Sequence, residues 1–239
     1  MERILVAQHQ NIATITLNAP DNGNAADSAM LEELKQVLDG LAQEHSLRAL
    51  ILHGAGSDFC RGRVPTEHGT PSALQMRRTL GGIIAVNQVL RHFPIPTIAA
   101  VEGRALGFGC GLAVLCDITI VGKGARLGFP ELLRDLPPTI VMSYLGRFIP
   151  RKKALELVLT GKEISLTEAA TLGLINQIVE TSQTYTEALS LATALAERDP
   201  LAVRTCRQFF REAQYIDEET AAEYGVNVLA TILSSGERS

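Results

Sequence analysis

A glycine-rich turn between two apolar segments is the feature that most constrains the fold of this chain. Four glycines lie within nine residues, at positions 103, 107, 109 and 111. The run PTIAAV before the turn predicts a strand, and GCGLAVLCD at its end predicts a helix. This order directs backbone N–H groups and the positive end of a helix dipole to one point. Because glycine lets a ligand approach the main chain, the turn predicts a site for a phosphate or an oxyanion.

Strand and helix patterns alternate from the N-terminus to about residue 180, and only helix patterns follow. This order predicts an α/β core over residues 1–180, with helices packed on a sheet, and a helical C-terminal region over residues 181–239. Asp27 or Ser28 is expected to cap the first helix, because leucines recur after them at intervals of three and four. The predicted strands are ILVAQHQ, NIATITLN, LRALILHG, PTIAAV, ITIVG and INQIVE.

The composition excludes several kinds of partner. The 239 residues carry a formal net charge of −4 and no basic block longer than RKK, so we expect neither nucleic acid nor a membrane as a partner. No apolar run is long enough for a membrane-spanning helix, and MERILVAQHQ lacks the apolar stretch of a signal peptide. The four cysteines form no CxxC pair, which predicts reduced thiols and no metal site. We expect a cytoplasmic location, or an organelle matrix if a transit peptide has been removed.

Two kinds of ligand fit the glycine-rich turn. The glycines at 107, 109 and 111 give G-x-G-x-G, which differs from the G-x-G-x-x-G of dinucleotide-binding folds. An oxyanion is the better match, because a second loop, FCRGRV at Phe59–Val64, follows the predicted strand LRALILHG in the same way. Two such corners can each offer one N–H to a carbonyl oxygen that becomes an enolate. Each donor of this kind is typically worth about 100- to 1000-fold in rate.

Five segments together resemble the enoyl-CoA hydratase/isomerase, or crotonase, superfamily. They cover most of residues 3–212 in the order and spacing of that family. The resemblance implies a crotonase-like spiral of ββα units with a helical C-terminal trimerisation region, assembled as a homotrimer or a dimer of trimers. It also implies an acyl-CoA substrate, with CoA present only as part of the thioester and no permanently bound cofactor. The segments are NIATITLNAP, ALILHGAGSDFCRGR, PTIAAVEGRALGFGCGLAVLCDITIVGKGARLGFPEL, LVLTGKEISLTEAATLGLINQIV and DPLAVRTCRQFF.

The resemblance assigns the two oxyanion donors to main-chain groups. The first falls on Arg63, after Gly62, and the second on Phe108, in LGFGC, while Gly107 and Gly109 would leave room for the thioester. The family usually has a small residue in place of Arg63 and a glycine in place of Phe108. Because the main chain acts, the side chain can vary. We expect the Phe108 ring to point away from the turn or to line the acyl pocket.

The resemblance gives three further residues a predicted contact with the substrate. Arg61 and Arg63 are candidates for binding the CoA phosphates, and the alternative for Arg63 is a solvated loop arginine. Thr139 stands where relatives carry a glycine or a catalytic group such as aspartate or tyrosine, and its alternative role is to cap a helix. Relatives usually continue beyond ATILSSGERS with a helix and a basic segment that help to cover the site. We therefore expect weaker CoA binding, cover from a neighbouring subunit, or a shortened chain.

The hydratases of this superfamily hold water with two glutamates. Gly111 stands at one of these positions, where it leaves space beside the substrate, and Glu131, in GFPELL, stands at the other. Moving a double bond from the 3-enoyl to the 2-enoyl position needs one carboxyl, which removes a proton from C2 and returns it at C4. We therefore predict an isomerase with Glu131 as its single acid/base. The alternatives are hydration or decarboxylation with another second group, and an acyl-CoA-binding protein without turnover.

Other roles and other residues remain open for the acid/base. Glu131 could instead form a surface salt bridge with Arg134. Further polar side chains near the predicted site are more typical of structural or solvent-facing positions, although each could contact substrate. They are Glu67, His68, Glu102 and Asp135.

Overall fold

The computed structural model describes residues 2–64 and 72–234. Within these residues the strands form two sheets. The strands are β1 (Ile4–His9), β2 (Ile12–Leu17), β3 (Ala49–Gly54), β4 (Thr97–Val101), β5 (Arg104–Leu106), β6 (Ile118–Gly122), β7 (Arg126–Gly128), β8 (Glu163–Ile164) and β9 (Gln177–Val179). The helices are α1 (Ser28–Ala42), α2 (Ala73–Arg91), α3 (Phe108–Leu115), α4 (Thr139–Leu145), α5 (Arg151–Thr160), α6 (Leu166–Thr171), α7 (Thr184–Ala196), α8 (Pro200–Ala213) and α9 (Glu218–Ser234).

The large sheet has six strands in the order β1-β2-β3-β4-β6-β9. β1 pairs antiparallel with β2, and every other neighbouring pair in this sheet is parallel. These six strands are the six that the apolar patterns predict, so the α/β class is confirmed. β3 and β4 are parallel neighbours, and therefore the chain leaves both at the same edge of the sheet. The two predicted oxyanion corners, which follow these strands, start side by side for this reason.

A small second sheet lies beside this edge. Its order is β5-β7-β8, with β5 parallel to β7 and β7 antiparallel to β8. β5 lies inside the predicted glycine-rich turn, after Gly103, and leads directly to Gly107 and the start of α3, so the small sheet holds this helix start. The sequence patterns do not predict it, because strands of two or three residues are too short to show an alternation of apolar and polar side chains.

The helix α1 shows how local sequence sets an element and its packing. Asp27 is the N-cap, and its side chain accepts a hydrogen bond of 2.8 Å from the Met30 N–H. This satisfies one of the N–H groups that a helix start leaves unpaired. The buried face of the helix carries Met30, Leu31, Leu34, Leu38 and Leu41. These recur at helical spacing, so α1 buries one apolar stripe against the sheet and α2.

Helices cover both faces of the large sheet. One face carries Ala13, Ile15 and Leu17 of β2 and packs in the same core as the leucines of α1. The other face carries the alternate residues of the strands and packs against Ala188 and Ala192 of α7. The first long helix after residue 180 therefore belongs to the sheet's own core. The strand residues on this second face are Ile12, Ala49, Ile51, Ile98, Ala100 and Ile120.

α8 and α9 lie at the periphery, and neither contributes a buried residue. Arg207 connects α8 to the core, because its Nε donates a 2.8 Å hydrogen bond to Asp117 and its guanidinium also donates to the Phe93 carbonyl. The helical C-terminal region is thus present as predicted. Of the helices in residues 2–64 and 72–234, none combines the length and the apolar character that crossing a bilayer requires.

Candidate active site

Backbone hydrogen bonds hold the loop that carries Arg63 on both of its sides. On one side, Cys60 pairs with β5: its N–H donates to the Arg104 carbonyl, and its carbonyl accepts from the Leu106 N–H, both at 2.9 Å. On the other side, the Ala26 N–H donates to the Gly62 carbonyl, and the Val64 N–H donates to the Ala26 carbonyl, both at 2.9 Å. The Arg63 N–H takes part in none of these hydrogen bonds, and it donates to no acceptor within the described part of the chain.

Gly62 and Gly107 set the backbone of the two corners. Gly62 has φ 105°, and Gly107, the N-cap of α3, has φ 54°. Both values lie in the region that favours glycine. Phe108 is the first residue of α3, so its N–H has no partner within the helix. It donates to no other described residue either, and both predicted oxyanion donors are therefore unpaired.

Gly109 brings the two corners together. A Cβ on Gly109 would overlap the carbonyl oxygen of Cys60 in the first corner. Glycine is thus required at this position by the contact between the two corners. Its predicted contact with the thioester stays a prediction. The Phe108 side chain is partly buried and packs against the main core, and whether it also lines an acyl pocket stays a prediction.

The carboxyl of Glu131 lies directly beside the second corner. Glu131 belongs to a short 3-10 helix, Pro130–Arg134, that follows β7. A Cβ on Gly107 would lie 2.7 Å from Oε1 of Glu131, so the glycine leaves room for this carboxyl. Oε2 is buried and has no hydrogen-bond partner among the residues described. Burial raises the pKa of Glu131, while its own backbone N–H and the charge of Arg134 oppose the rise.

The alternative of a salt bridge between Glu131 and Arg134 is not observed. No ion pair involves Glu131 in the residues described, and Arg134 is exposed at the end of the 3-10 helix. A buried carboxyl oxygen without a hydrogen-bond partner costs free energy, because its desolvation is not compensated. Such a group is a candidate for a functional site.

Tyr144 fills the space beside Gly111, which sequence reasoning did not detect. A Cβ on Gly111 would lie 2.5 Å from the Tyr144 hydroxyl oxygen. The tyrosine lies on α4 and is only 5% exposed. It stands thirteen residues after Glu131, beyond two prolines that break the helical pattern, so no periodicity in the sequence connects the two side chains.

The two arginines differ in their surroundings. The Arg61 stem lies against Gly23, where a Cβ would overlap it, and its charge helps to lower the pKa of Asp58. Arg63 is half-buried, which lowers its pKa, and it forms no ion pair with any described residue. Arg63 borders a cavity of about 130 Å³ that is also lined by Ala26, Asp27, Ser28, Leu31, Val64 and Thr79. Contact of either arginine with CoA stays a prediction.

The remaining candidates lie in different settings. Thr139 is exposed and is the first residue of α4; Pro138 is the N-cap, so the expectation that Thr139 caps this helix is wrong, and its contact with substrate stays a prediction. Burial raises the pKa of Glu102, and Asp135 is exposed with φ 57°. Glu67 and His68 lie outside the described residues. No group of three potential metal ligands occurs within 2–64 and 72–234.

Comparison with known proteins identifies the class of α/β enzymes to which this fold and this site belong. The family model described as enoyl-CoA hydratase/isomerase matches residues 7–238. The 2,3-dehydroadipyl-CoA hydratase of Escherichia coli strain K12 is 32% identical over 90% of this chain and 84% of its own length. The short-chain-enoyl-CoA hydratase of Clostridium acetobutylicum is 31% identical over 94% of this chain and 87% of its own.

Solved structures agree with these relatives. An enoyl-CoA hydratase from Mycobacterium smegmatis superposes with a TM-score of 0.94 at 26% identity, over 99% of this chain and 93% of that one. An enoyl-CoA hydratase from Bacillus anthracis superposes with a TM-score of 0.93 at 29% identity over the same shares. The chain therefore belongs to the enoyl-CoA hydratase/isomerase family and has the crotonase fold. It is an enzyme of the type that acts on CoA thioesters.

Proposed function

We propose that this enzyme transforms an enoyl-CoA thioester through an enolate that the N–H groups of Arg63 and Phe108 stabilise. In this proposal Glu131 moves the proton. The observation that carries it is the position of the Glu131 carboxyl, which lies against Gly107 with one oxygen buried and unpaired. A substrate carbonyl held by the N–H of Phe108, the next residue, would present its α-carbon near this carboxyl. Both unpaired N–H groups support the same placement.

Isomerisation of a 3-enoyl-CoA to a 2-enoyl-CoA needs the fewest groups. The Glu131 carboxylate takes a proton from C2, the negative charge moves to the thioester oxygen, and the carboxyl returns the proton at C4. A raised pKa suits this cycle, because it makes the carboxylate a stronger base and retains the proton until C4 is in reach. Each step needs only Glu131 and the two N–H groups.

Hydration of a 2-enoyl-CoA is the second candidate. Relatives from Escherichia coli and Clostridium acetobutylicum are named hydratases, which favours it. In this chain Gly111 replaces one of the two water-holding glutamates of that reaction. Hydration therefore requires another group that holds water beside Glu131. Decarboxylation, and binding without turnover, have no observation of this kind in their favour.

An ultraviolet assay with both substrates tests the proposal. Gain of conjugation with a 3-enoyl-CoA reports isomerisation, and loss of conjugation with a 2-enoyl-CoA reports hydration. Glu131→Gln should reduce either activity by about 100- to 10,000-fold, the usual contribution of a general acid/base. Glu102→Gln is the matched control, since Glu102 is a second carboxyl whose pKa burial raises. Normal turnover by Glu131→Gln would remove Glu131 from the mechanism.

We also propose that the chain assembles as a homotrimer, or as a dimer of trimers, in the cytoplasm. Large apolar side chains on α8 and α9 face solvent in the single chain, with Phe210 80% exposed and Val226 67% exposed. Apolar surface of this kind is typical of a protein interface. A second and third copy of this chain are the partners that the family resemblance implies.

A further inference from the structure

Gly107, the N-cap of α3, and Gly111, in the first turn of this helix, leave two gaps that follow one another along the chain. They are four residues apart, and the Gly111 N–H donates a 2.9 Å hydrogen bond to the Gly107 carbonyl, so they lie one helical turn apart. Each gap is occupied by an oxygen from outside the helix: Oε1 of Glu131 at Gly107 and the hydroxyl of Tyr144 at Gly111.

The Tyr144 ring is fixed by its neighbours. The Phe148 ring meets it edge-on, with centroids 6.3 Å apart and planes at 85°. The guanidinium carbon of Arg91 lies 5.5 Å from the Tyr144 centroid, within the range of a cation–π contact. These contacts hold the aromatic part of the side chain and leave its hydroxyl directed at Gly111.

The Tyr144 hydroxyl and one carboxyl oxygen of Glu131, Oε2, have no hydrogen-bond partner within the described residues. Tyr144 forms no hydrogen bond within the described residues, and neither does Oε2 of Glu131, so the two groups do not bond to each other. Buried polar groups in proteins are almost always paired. Oε2 of Glu131 is buried and lacks the partner that such an atom needs, and the Tyr144 hydroxyl, which lies at the next gap along the chain, is available to share one with it. Burial and the nearby Glu131 charge raise the pKa of Tyr144, so its hydroxyl stays protonated and can donate a hydrogen bond.

We infer that Tyr144 and Glu131 hold a water molecule between them, and that the enzyme thereby adds water to 2-enoyl-CoA thioesters. This inference rests on the proposed function, because it uses the same Glu131 and the same two N–H groups. The water oxygen forms a bond to C3 as its proton passes to the Glu131 carboxylate. The electron pair of the C2–C3 double bond moves to the thioester oxygen. Glu131 then gives the proton to C2 and returns to its starting charge, while Tyr144 keeps its own proton throughout.

The substitution Tyr144→Phe tests the inference, because it removes the hydroxyl and keeps the ring. In the full-length enzyme, the kcat for hydration should fall by about 10- to 150-fold, the effect of losing one hydrogen bond to a charged group. KM should change by less than about threefold, since no thioester contact is lost. Isomerisation of a 3-enoyl-CoA by the same variant should stay within about twofold, because that reaction uses no water. Retained isomerisation also shows that the variant is folded.

Tyr185→Phe is the matched control. Its hydroxyl shares a 3.2 Å hydrogen bond with Thr14, away from α3. This variant should keep both activities. Equal loss of hydration and isomerisation in Tyr144→Phe, or no loss of hydration, would overturn the role of Tyr144 and leave the proposed function standing. So would a wild-type enzyme that isomerises but does not hydrate. A wild-type enzyme that acts on neither substrate would overturn the proposed function and this inference with it.

Discussion

The carboxyl of Glu131 lies against the α-carbon of Gly107, where a Cβ would be 2.7 Å from Oε1. Gly107 also has φ 54° and begins α3, directly before the unpaired Phe108 N–H. One glycine thus gives the turn its shape and leaves space for the carboxyl that is proposed to move the proton. Any side chain at this position meets both constraints at once.

Gly107→Ala should therefore reduce both stability and activity. The backbone conformation alone costs about 1–3 kcal/mol for a residue with a Cβ. The added methyl also pushes the Glu131 carboxyl from its place, so we expect kcat to fall by at least about 100-fold. Urea unfolding and the ultraviolet assay measure the two effects. Gly40→Ala is the control, because a Cβ on Gly40 meets nothing within 4 Å, and it should leave activity unchanged.

Gly111→Ala should give opposite results in two backgrounds. In the wild type, a Cβ at position 111 would lie 2.5 Å from the Tyr144 hydroxyl oxygen, which is too close. The ring carbon that carries this oxygen would be 3.8 Å away, which is an ordinary contact distance. In Tyr144→Phe the clash is absent, and alanine should stabilise the helix by up to about 1 kcal/mol. In the wild type the clash should cancel this gain or reverse it. Urea unfolding of the four proteins gives the coupling, and simple additivity would contradict the contact.

The pH dependence of stability should reveal the unpaired carboxyl. Burial raises the pKa of Glu131 in the folded state, so the folded protein holds this proton more tightly than the unfolded chain does. The resulting stabilisation is complete below the unfolded pKa of about 4.3 and is lost as the pH rises through the folded pKa. Glu131→Gln removes the buried charge. It should unfold at a higher urea concentration than the wild type at pH 7 to 8, while its activity is expected to be lower.

Acidic pH supplies the second half of this test. Below pH 4 the wild-type carboxyl is protonated, and the stability difference from Glu131→Gln should shrink towards zero. In the pH profile of kcat/KM, the apparent pKa of the acid limb should be higher than the ordinary pKa of a glutamate, for the same reason. A variant that is less stable than the wild type at neutral pH would show that other interactions of the Glu131 carboxylate outweigh the cost of its burial.

The Arg63 side chain and main chain should have separable effects. Arg63→Ala keeps the backbone N–H that is proposed to bind the thioester oxygen, and it removes the half-buried guanidinium. If the guanidinium binds a CoA phosphate, KM should rise by about tenfold, the effect of one charge-assisted hydrogen bond, with kcat nearly unchanged. Arg61→Ala, measured in parallel, shows which arginine makes this contact. A loss of kcat alone would indicate that the loop has moved.

The assembly should depend on the exposed face of α8. Phe210→Lys places a charge where the largest exposed ring of this helix stands, and it should lower the mass measured by light scattering from that of a trimer to that of a monomer. Gln208→Lys is the control, because residues two apart on a helix point in nearly opposite directions. A monomeric wild type would contradict the trimer directly.

The sequence predicts the large sheet and α1 because their signals are local. Alternation in β2 and the leucine spacing of α1 each extend over several residues, and Asp27 marks the start of the helix. Glu131 and the two N–H donors are predicted only through the family resemblance, since no local pattern aims a carboxyl at a turn 24 residues earlier. The structure gives that carboxyl its buried, unpaired position.

Two other features could not be predicted because they depend on contacts between distant segments. The glycine at 109 is explained by Cys60, which lies 49 residues away in the chain. Tyr144 meets Gly111 only because α4 folds back onto α3 after the Pro137-Pro138 break. A sequence shows that Gly111 lacks a side chain, but not which neighbour occupies the space.

The contact of Gly109 with Cys60 has a consequence for how this enzyme is ready to act. The loops of the two proposed donors are in direct contact, since a Cβ on Gly109 would overlap the Cys60 carbonyl oxygen. The spacing of these two N–H groups is therefore set when the chain folds. In the proposed mechanism, the site is preorganised and needs no rearrangement when a thioester binds.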